Sequence, residues 1–130
     1  MKTQIRFTFI LTAVFAAFFS TSCKKNSTGG KAEVHAMIYH GTTPIVGTTT
    51  LFVKFDATAQ PNTPTENYDL KVLGEVDDNH VHIEELRQGN YYLYALAYDS
   101  LTKTPVKGGA AVTIKWSERK EMKDVMIMVE

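Results

Sequence analysis

The sequence predicts an all-β protein, a single seven-stranded antiparallel β-sandwich that follows an N-terminal signal segment. From residue 32 onward, short stretches of alternating apolar and polar residues are separated by turn residues. No segment between these stretches is long enough for the crossover helices that a parallel sheet requires. The 130 residues, 44% hydrophobic, fit one domain with a core. A small open barrel is the structural alternative.

The first 22 residues have the layout of a secretory signal peptide. Lys2 and Arg6 give a positive start, residues 7–19 are apolar apart from two threonines, and small residues follow. The apolar run is shorter than the roughly 20 residues that a membrane-spanning helix needs. We therefore expect residues 1–22 to be a cleaved signal peptide, with a retained transmembrane anchor as the alternative.

Cys23 is the only cysteine of the chain and follows the segment Ser20-Thr21-Ser22. This stretch resembles the lipobox of bacterial lipoproteins, although Ser20 stands where leucine is usual. The resemblance implies a diacylglycerol on the Cys23 thiol, cleavage before Cys23, and a membrane-anchored protein of the bacterial cell envelope. A free thiol for redox or metal chemistry is the alternative. Residues 23–31 are mostly polar and glycine-containing, which predicts a flexible tether before a domain over 32–130.

Seven strands are predicted in order along this domain. The first begins at Ala32. The other six lie at Leu51–Phe55, Tyr68–Val76, Val81–Ile83, Tyr91–Tyr98, Ala111–Trp116 and Val125–Val129. The connections contain turn residues at 41–44, 60–67, 77–79, 87–90 and 99–109. Two prolines exclude a central strand from 60–67. The polar link 117–123 has room for one helical turn.

The strand YYLYALAY has two contrasting faces. Its odd-numbered residues, from Tyr91 to Ala97, are expected to face the core. The even face is more apolar than a solvated face usually is, and we call it the tyrosine strip: Tyr92, Tyr94, Leu96 and Tyr98. It is a candidate surface for a glycan or a protein partner. Alternatively, loop 60–67 or loop 101–109 covers it. Met126 and Met128 would extend the strip if their strand is nearby.

Two segments carry a family resemblance. Residues 79–98, NHVHIEELRQGNYYLYALAY, resemble the signature of carboxypeptidase-regulatory-like and transthyretin-like (prealbumin-like) domains, with matches at Asn79, Val81, Ile83, Leu86, Gly89, Tyr91 and Leu93. The stretch VHAMIYHGTTPIVGTTTLFV is similar to the first hairpin of that family, with Pro44, Ile45 and Gly47 in matching positions. The resemblance implies a transthyretin-like sandwich that serves as an accessory module.

The histidines are the clearest candidates for a chemical site. His80 and His82 are two residues apart, so on a strand they point to the same side, as a pair of metal ligands would. Asp77, Asp78 and Glu84 are close in sequence. A zinc site needs three or four such ligands, so we expect instead the polar outer face of a strand, with His80 and His82 as weak metal candidates. His35 and His40 have opposite parity and are not expected to pair.

The sequence gives little support for catalysis. Asp77-Asp78 and Glu84-Glu85 are adjacent pairs, and neighbours on a strand face opposite sides. No nucleophile elbow or phosphate-binding loop occurs. The hydroxyisourate hydrolases of the transthyretin-like family end in Tyr-Arg-Gly-Ser, whereas this chain ends in Met-Val-Glu. We therefore predict no enzyme activity and no cofactor.

The predicted function is that of a lipid-anchored, non-catalytic binding or structural module of the bacterial envelope. Its first expected partner, besides the membrane, is an envelope protein. Glycan binding through the tyrosine strip is the second hypothesis, and a metal-dependent or hydrolytic site near His80 and His82 is the third. Nucleic acid is not expected, because 14 Lys+Arg are balanced by 14 Asp+Glu.

Overall fold

A computed structural model describes residues 27–130, which form two β-sheets packed face to face. The fold class is confirmed: the protein is an all-β sandwich. Residues 27–130 contain eight strands rather than seven, because a two-residue strand follows the first turn. The strands are β1 (Thr28–His40), β2 (Thr43–Pro44), β3 (Gly47–Phe55), β4 (Leu70–Leu73), β5 (His80–Leu86), β6 (Gly89–Asp99), β7 (Thr104–Ile114) and β8 (Met122–Val129).

The two sheets differ in the direction of their strands. In the first sheet, β1 pairs with β2 and β5 in antiparallel fashion and with β8 in parallel. In the second sheet all neighbours are antiparallel, in the order β4-β3-β6-β7. The expectation of an antiparallel arrangement was therefore wrong for the pair β1–β8. These are the first and last strands, so the rest of the sandwich connects them and no crossover helix is needed.

The core lies between the sheets and follows the alternation read from the sequence. Val34, Ala36 and Ile38 of β1 are fully buried, and so are Leu51 and Val53 of β3. The odd-numbered face of β6 points inward, as predicted, and Val81 and Ile83 of β5 do the same. Period-two burial in this chain is therefore a direct consequence of strand geometry, in which successive side chains point to opposite faces.

The first part of strand β7, residues 104–109, lies where the sequence predicted a loop, whereas its last residues fall in the predicted strand 111–116. The loop between β6 and β7 is confined to residues 100–103, and Pro105, Gly108 and Gly109 belong to the strand. A Cβ at Gly108 would overlap the carbonyl oxygen of Met128, and one at Gly109 would overlap the hydroxyl of Tyr92. The glycines are needed here for close approach of neighbouring groups, and not for a turn.

This close approach joins the two sheets along one side. The backbone N–H of Lys107 donates to the carbonyl of Glu130, and the N–H of Glu130 donates back to Lys107, both at 3.0 Å. Strands β7 and β8, which are edges of different sheets, thus meet at the end of the chain.

Three other segments differ in detail from the expectation. β4 is shorter than the predicted 68–76, and the link after β7 contains a 3₁₀ turn at Trp116–Glu118. β1 begins at Thr28, so residues 28–31 of the predicted tether lie in a strand. The predicted signal peptide and Cys23 lie outside the described residues. Within residues 27–130, no helix has the length and apolar character to cross a membrane.

Candidate functional site

The outer face of the first sheet brings three histidines together. His35 of β1 lies between His80 and His82 of β5. The ring centroids are 4.7 Å apart for His35–His80 and 4.4 Å apart for His35–His82, with interplanar angles of 21° and 19°. We call this group the histidine stack.

Each ring of the stack is held by a carboxylate. The Nδ1···O distances are 2.9 Å for His35–Asp124, 2.8 Å for His80–Asp78 and 2.7 Å for His82–Glu33. An ionised carboxylate only accepts hydrogen bonds, so Nδ1–H is the donor and Nε2 is left as an acceptor in each neutral ring. Two hydrogen bonds from the backbone N–H and ring of His80 lower the pKa of Asp78, which keeps that carboxylate charged.

The geometry of the stack does not favour a metal centre. The lone pair of an imidazole nitrogen lies in the ring plane, and nearly parallel planes aim their lone pairs side by side instead of at one point. In residues 27–130 no group of three or more His, Cys, Asp or Glu side chains is placed to hold a metal ion. The Nδ1 atoms of the three rings bond to carboxylates.

The part of His35 in this cluster was missed by the sequence analysis. Its strand register pairs His35 with His82, a long-range contact that a sequence pattern does not specify. A signal was nevertheless present: His35 alternates with the buried Val34 and Ala36, so its side chain had to point outward, as that of His82 does.

Beside the histidine stack lies an apolar area that we call the methionine patch: Met37, Tyr39, Met126 and Met128. Met37 pairs with Met126 and Tyr39 with Met128 in the register between β1 and β8. Met126 is 55% exposed and Met128 50%. The two β8 methionines therefore lie on the first sheet and do not extend the tyrosine strip, which lies on the second.

The tyrosine strip is covered at one end and open at the other. Tyr92 is buried, and Tyr94 is half-buried with its ring 6.3 Å from that of Tyr68. Leu96 and Tyr98 are exposed. Loop 101–109 does not cover the strip, since most of it forms β7 beside β6.

Tyr68 also forms one wall of an aromatic groove on the second sheet. Its ring meets that of Phe52 edge-on with centroids 6.2 Å apart. Burial, with Tyr92 and Tyr94 nearby, raises the pKa of Tyr68, so its hydroxyl stays protonated and able to donate. The groove has a volume of about 430 Å³ and is lined by Phe52, Thr65, Glu66, Tyr68, Asp69, Leu70 and Lys71.

The fourth histidine has a structural partner. Nδ1 of His40 lies 2.9 Å from Oδ2 of the buried Asp99. The same carboxylate also accepts hydrogen bonds from the backbone N–H of Leu101 and the hydroxyl of Thr102, each at 3.0 Å. The hydrogen bond from His40 is the largest of the effects that lower the pKa of Asp99. This carboxylate organises the turn between β6 and β7 and ties it to β1.

Comparison of the chain with protein-family models, characterised proteins and solved structures finds no significant match.

Proposed function

We propose that the protein is a lipid-anchored, non-catalytic module of the bacterial cell envelope that binds an envelope protein through the methionine patch. The observation that carries this proposal is the row of apolar side chains on the outer face of the first sheet, in which the exposed Met126 and Met128 lie beside the half-buried Met37 and Tyr39. The module type follows the resemblance of residues 79–98 to transthyretin-like domains, and the anchor follows the lipobox-like sequence before Cys23.

The methionine patch has the character of a protein-binding surface. Methionine side chains are flexible and polarizable, so they adapt to a partner, and methionine and tyrosine are enriched at protein interfaces. Each square ångström of apolar surface that a partner buries contributes about 25 cal/mol. The histidine stack with its carboxylates lies beside the patch and supplies the polar groups expected at the rim of an interface.

Site-specific photo-crosslinking in the native host tests this proposal. We expect a photoreactive residue at Met128 to give one defined adduct with an envelope protein. The double variant Met126→Glu/Met37→Glu should abolish the adduct, because it places charge in an apolar interface. Leu73→Glu/Val76→Glu, two exposed apolar-to-acidic changes at the end of β4 and just after it, is the matched control and should leave it intact. Absence of a defined adduct, or equal loss in the control, contradicts the proposal.

Glycan binding is a second candidate, favoured by the aromatic groove. Aromatic faces stack on sugar rings, and Glu66, Asp69 and Lys71 supply hydrogen-bonding groups around Phe52 and Tyr68. The volume of the aromatic groove falls in the range of small-ligand sites. Calorimetric titration with soluble envelope oligosaccharides should give heat that Tyr68→Ala removes and Tyr39→Ala, on the other sheet, preserves. No heat from the unchanged protein contradicts this candidate.

A further inference from the structure

A basic groove lies at the end of the sandwich where β1 begins. It has a volume of about 180 Å³ and is lined by Gly30, Lys31, Arg87, Gln88, Trp116, Arg119 and Lys120. Four of these side chains carry positive charge and none carries negative charge. The groove combines three separate parts of the fold: the start of β1, the turn between β5 and β6, and the link between β7 and β8.

Hydrogen bonds fix two of the cations in place. The Nε–H of Arg87 donates to the carbonyl of Thr28 at 3.0 Å, and the backbone N–H of Arg87 donates to Ser27 at 2.9 Å. Arg119 donates to the carbonyl of Trp116 at 2.8 Å, and its Cζ lies 4.0 Å from the centroid of the Trp116 ring. Both guanidinium groups are therefore held at the groove by carbonyls and a ring.

The link contains two acidic residues, Glu118 and Glu121, and the first of them is engaged elsewhere. The Glu118 carboxylate accepts from the backbone N–H of Lys115 at 2.8 Å and from Nζ of Lys123 at 3.1 Å. These hydrogen bonds lower the pKa of Glu118, and the one from the Lys115 N–H has the largest effect. The negative charge of Glu118 is therefore bound by Lys115 and Lys123 and does not neutralise Arg119 or Lys120. Trp116 remains 60% exposed at the mouth of the groove.

The groove is also close to the predicted lipid anchor along the chain. Only Lys24, Lys25 and Asn26 separate Cys23 from Ser27. At about 3.3–3.6 Å per residue, these four steps span at most ~14 Å. An acylated Cys23 therefore holds this end of the sandwich within that distance of the membrane surface. The opposite end, where β4 leads to β5, instead carries Glu75, Asp77 and Asp78.

We propose that the basic groove docks on the phosphate headgroups of anionic phospholipids in the leaflet that holds the anchor, with Trp116 in the interfacial layer. This inference rests on the proposed lipid anchor. Lys and Arg next to a membrane are attracted to anionic lipid, and tryptophan is enriched at the membrane–water interface. A lipid chain and a basic surface together give two membrane signals, and the second one sets the orientation of the domain.

The experiment uses the full chain, acylated in a bacterial host and reconstituted on vesicles of phosphatidylcholine with or without phosphatidylglycerol. Trp116 is the only tryptophan, so its fluorescence reports on the groove directly. On vesicles with phosphatidylglycerol we expect its emission to shift to shorter wavelength and to be quenched by lipids brominated near the headgroup. On phosphatidylcholine alone the emission should stay that of a water-exposed indole, although the protein still floats with the vesicles.

Charge reversal provides the decisive comparison. Lys31→Glu/Lys120→Glu should abolish the emission shift, and so should about 1 M salt, which shortens the screening length to ~3 Å. Lys103→Glu/Lys107→Glu makes the same charge change at exposed positions outside the groove and should keep the shift. Both pairs leave Cys23, Lys24 and Lys25 unchanged.

Other outcomes overturn the proposal in distinguishable ways. Acylated protein that floats with both kinds of vesicle while Trp116 stays in water overturns the docking and leaves the anchor standing. A shift produced by inorganic phosphate without vesicles also overturns it, because the groove would then bind a free anion. An unmodified Cys23 by mass spectrometry, without flotation on neutral vesicles, overturns the anchor and the docking that rests on it.

Discussion

At the scale of single residues, the tightest constraints are set by backbone approach and by one buried charge. Gly108 lies against the carbonyl of Met128, where β7 meets β8, and leaves no space for a side chain. Asp99 is 4% exposed and accepts hydrogen bonds from β1 and from its own turn. Each of these residues joins parts of the chain that are distant in sequence, so a change at either one acts beyond its own strand.

Gly108→Ala should destabilise the fold. The added Cβ overlaps a backbone oxygen that cannot rotate away, so β8 has to shift from β7. Overpacking of this kind costs about 1–3 kcal/mol in the free energy of unfolding. Urea denaturation measures it. Gly41→Ala is the control, because Gly41 has free space but a φ of +63°, so it reports conformational cost alone. Equal stability of Gly108→Ala and the unchanged protein would contradict the close contact.

The lowered pKa of Asp99 predicts that the free energy of unfolding depends on pH. Its pKa is lowered below the ordinary value of 3.8 by the His40 hydrogen bond first of all, so the unfolded chain binds a proton at higher pH than the folded one. This contribution is complete at neutral pH and disappears as the pH falls through the folded pKa. Asp99→Asn should therefore unfold at lower urea concentration at pH 7 and show a weaker decline below about pH 4. Parallel pH profiles of the two proteins would contradict this assignment.

At the scale of elements, alternation predicted far more than turn composition did. The inward faces of β1, β3, β5 and β6 are those predicted from the sequence. Side chains on a strand alternate between two faces, so the apolar residues at every second position identify the buried face. The loop predicted over 99–109 was too long: only residues 100–103 lie between β6 and β7, and Pro105, Gly108 and Gly109 belong to β7 although they have the composition of a turn. Their true role depends on Tyr92 and Met128, which approach only in the folded state.

The candidate surfaces show the same division. Alternation alone placed His80, His82 and the tyrosine strip on outward faces. It gave no information about which strands are neighbours, and strand order decides that His35 joins the stack and that Met126 and Met128 lie on the sheet opposite Tyr98. The basic groove is formed by residues from three separate segments, so no local charge pattern in the sequence could predict it.

The two faces of β6 should respond very differently to truncation. Leu93 is fully buried, and Leu93→Ala should lower the free energy of unfolding by about 2–5 kcal/mol, because it removes buried methyl groups and leaves a cavity. Leu96 lies on the outer face and is 38% exposed, so Leu96→Ala should cost much less. Thermal and urea unfolding of both variants provide the measurement. Similar losses would show that the parity of β6 is wrong.

At the scale of the whole molecule, the direction of β1 relates the proposed surfaces to the membrane. β1 starts at the basic groove and runs for 13 residues, which at about 3.3 Å per residue is ~40 Å. Tyr39 lies near its far end, with Met128 in register beside it. If the groove docks on the membrane, the strands stand away from it and the methionine patch is held tens of ångströms above the headgroups, where an envelope protein reaches it from the side.

This arrangement makes the length of the tether a testable quantity. Insertion of a long Gly/Ser segment between Asn26 and Ser27 keeps the acyl chain but lowers the effective concentration of the groove at the surface, which falls steeply with linker length. We therefore expect undiminished flotation with vesicles but weaker shielding of Trp116 on anionic lipid. The same insertion in the exposed loop at 62–63 should leave the shielding unchanged, since it does not separate the groove from Cys23. Equal shielding with both insertions would mean that the short tether does not hold the groove against the membrane.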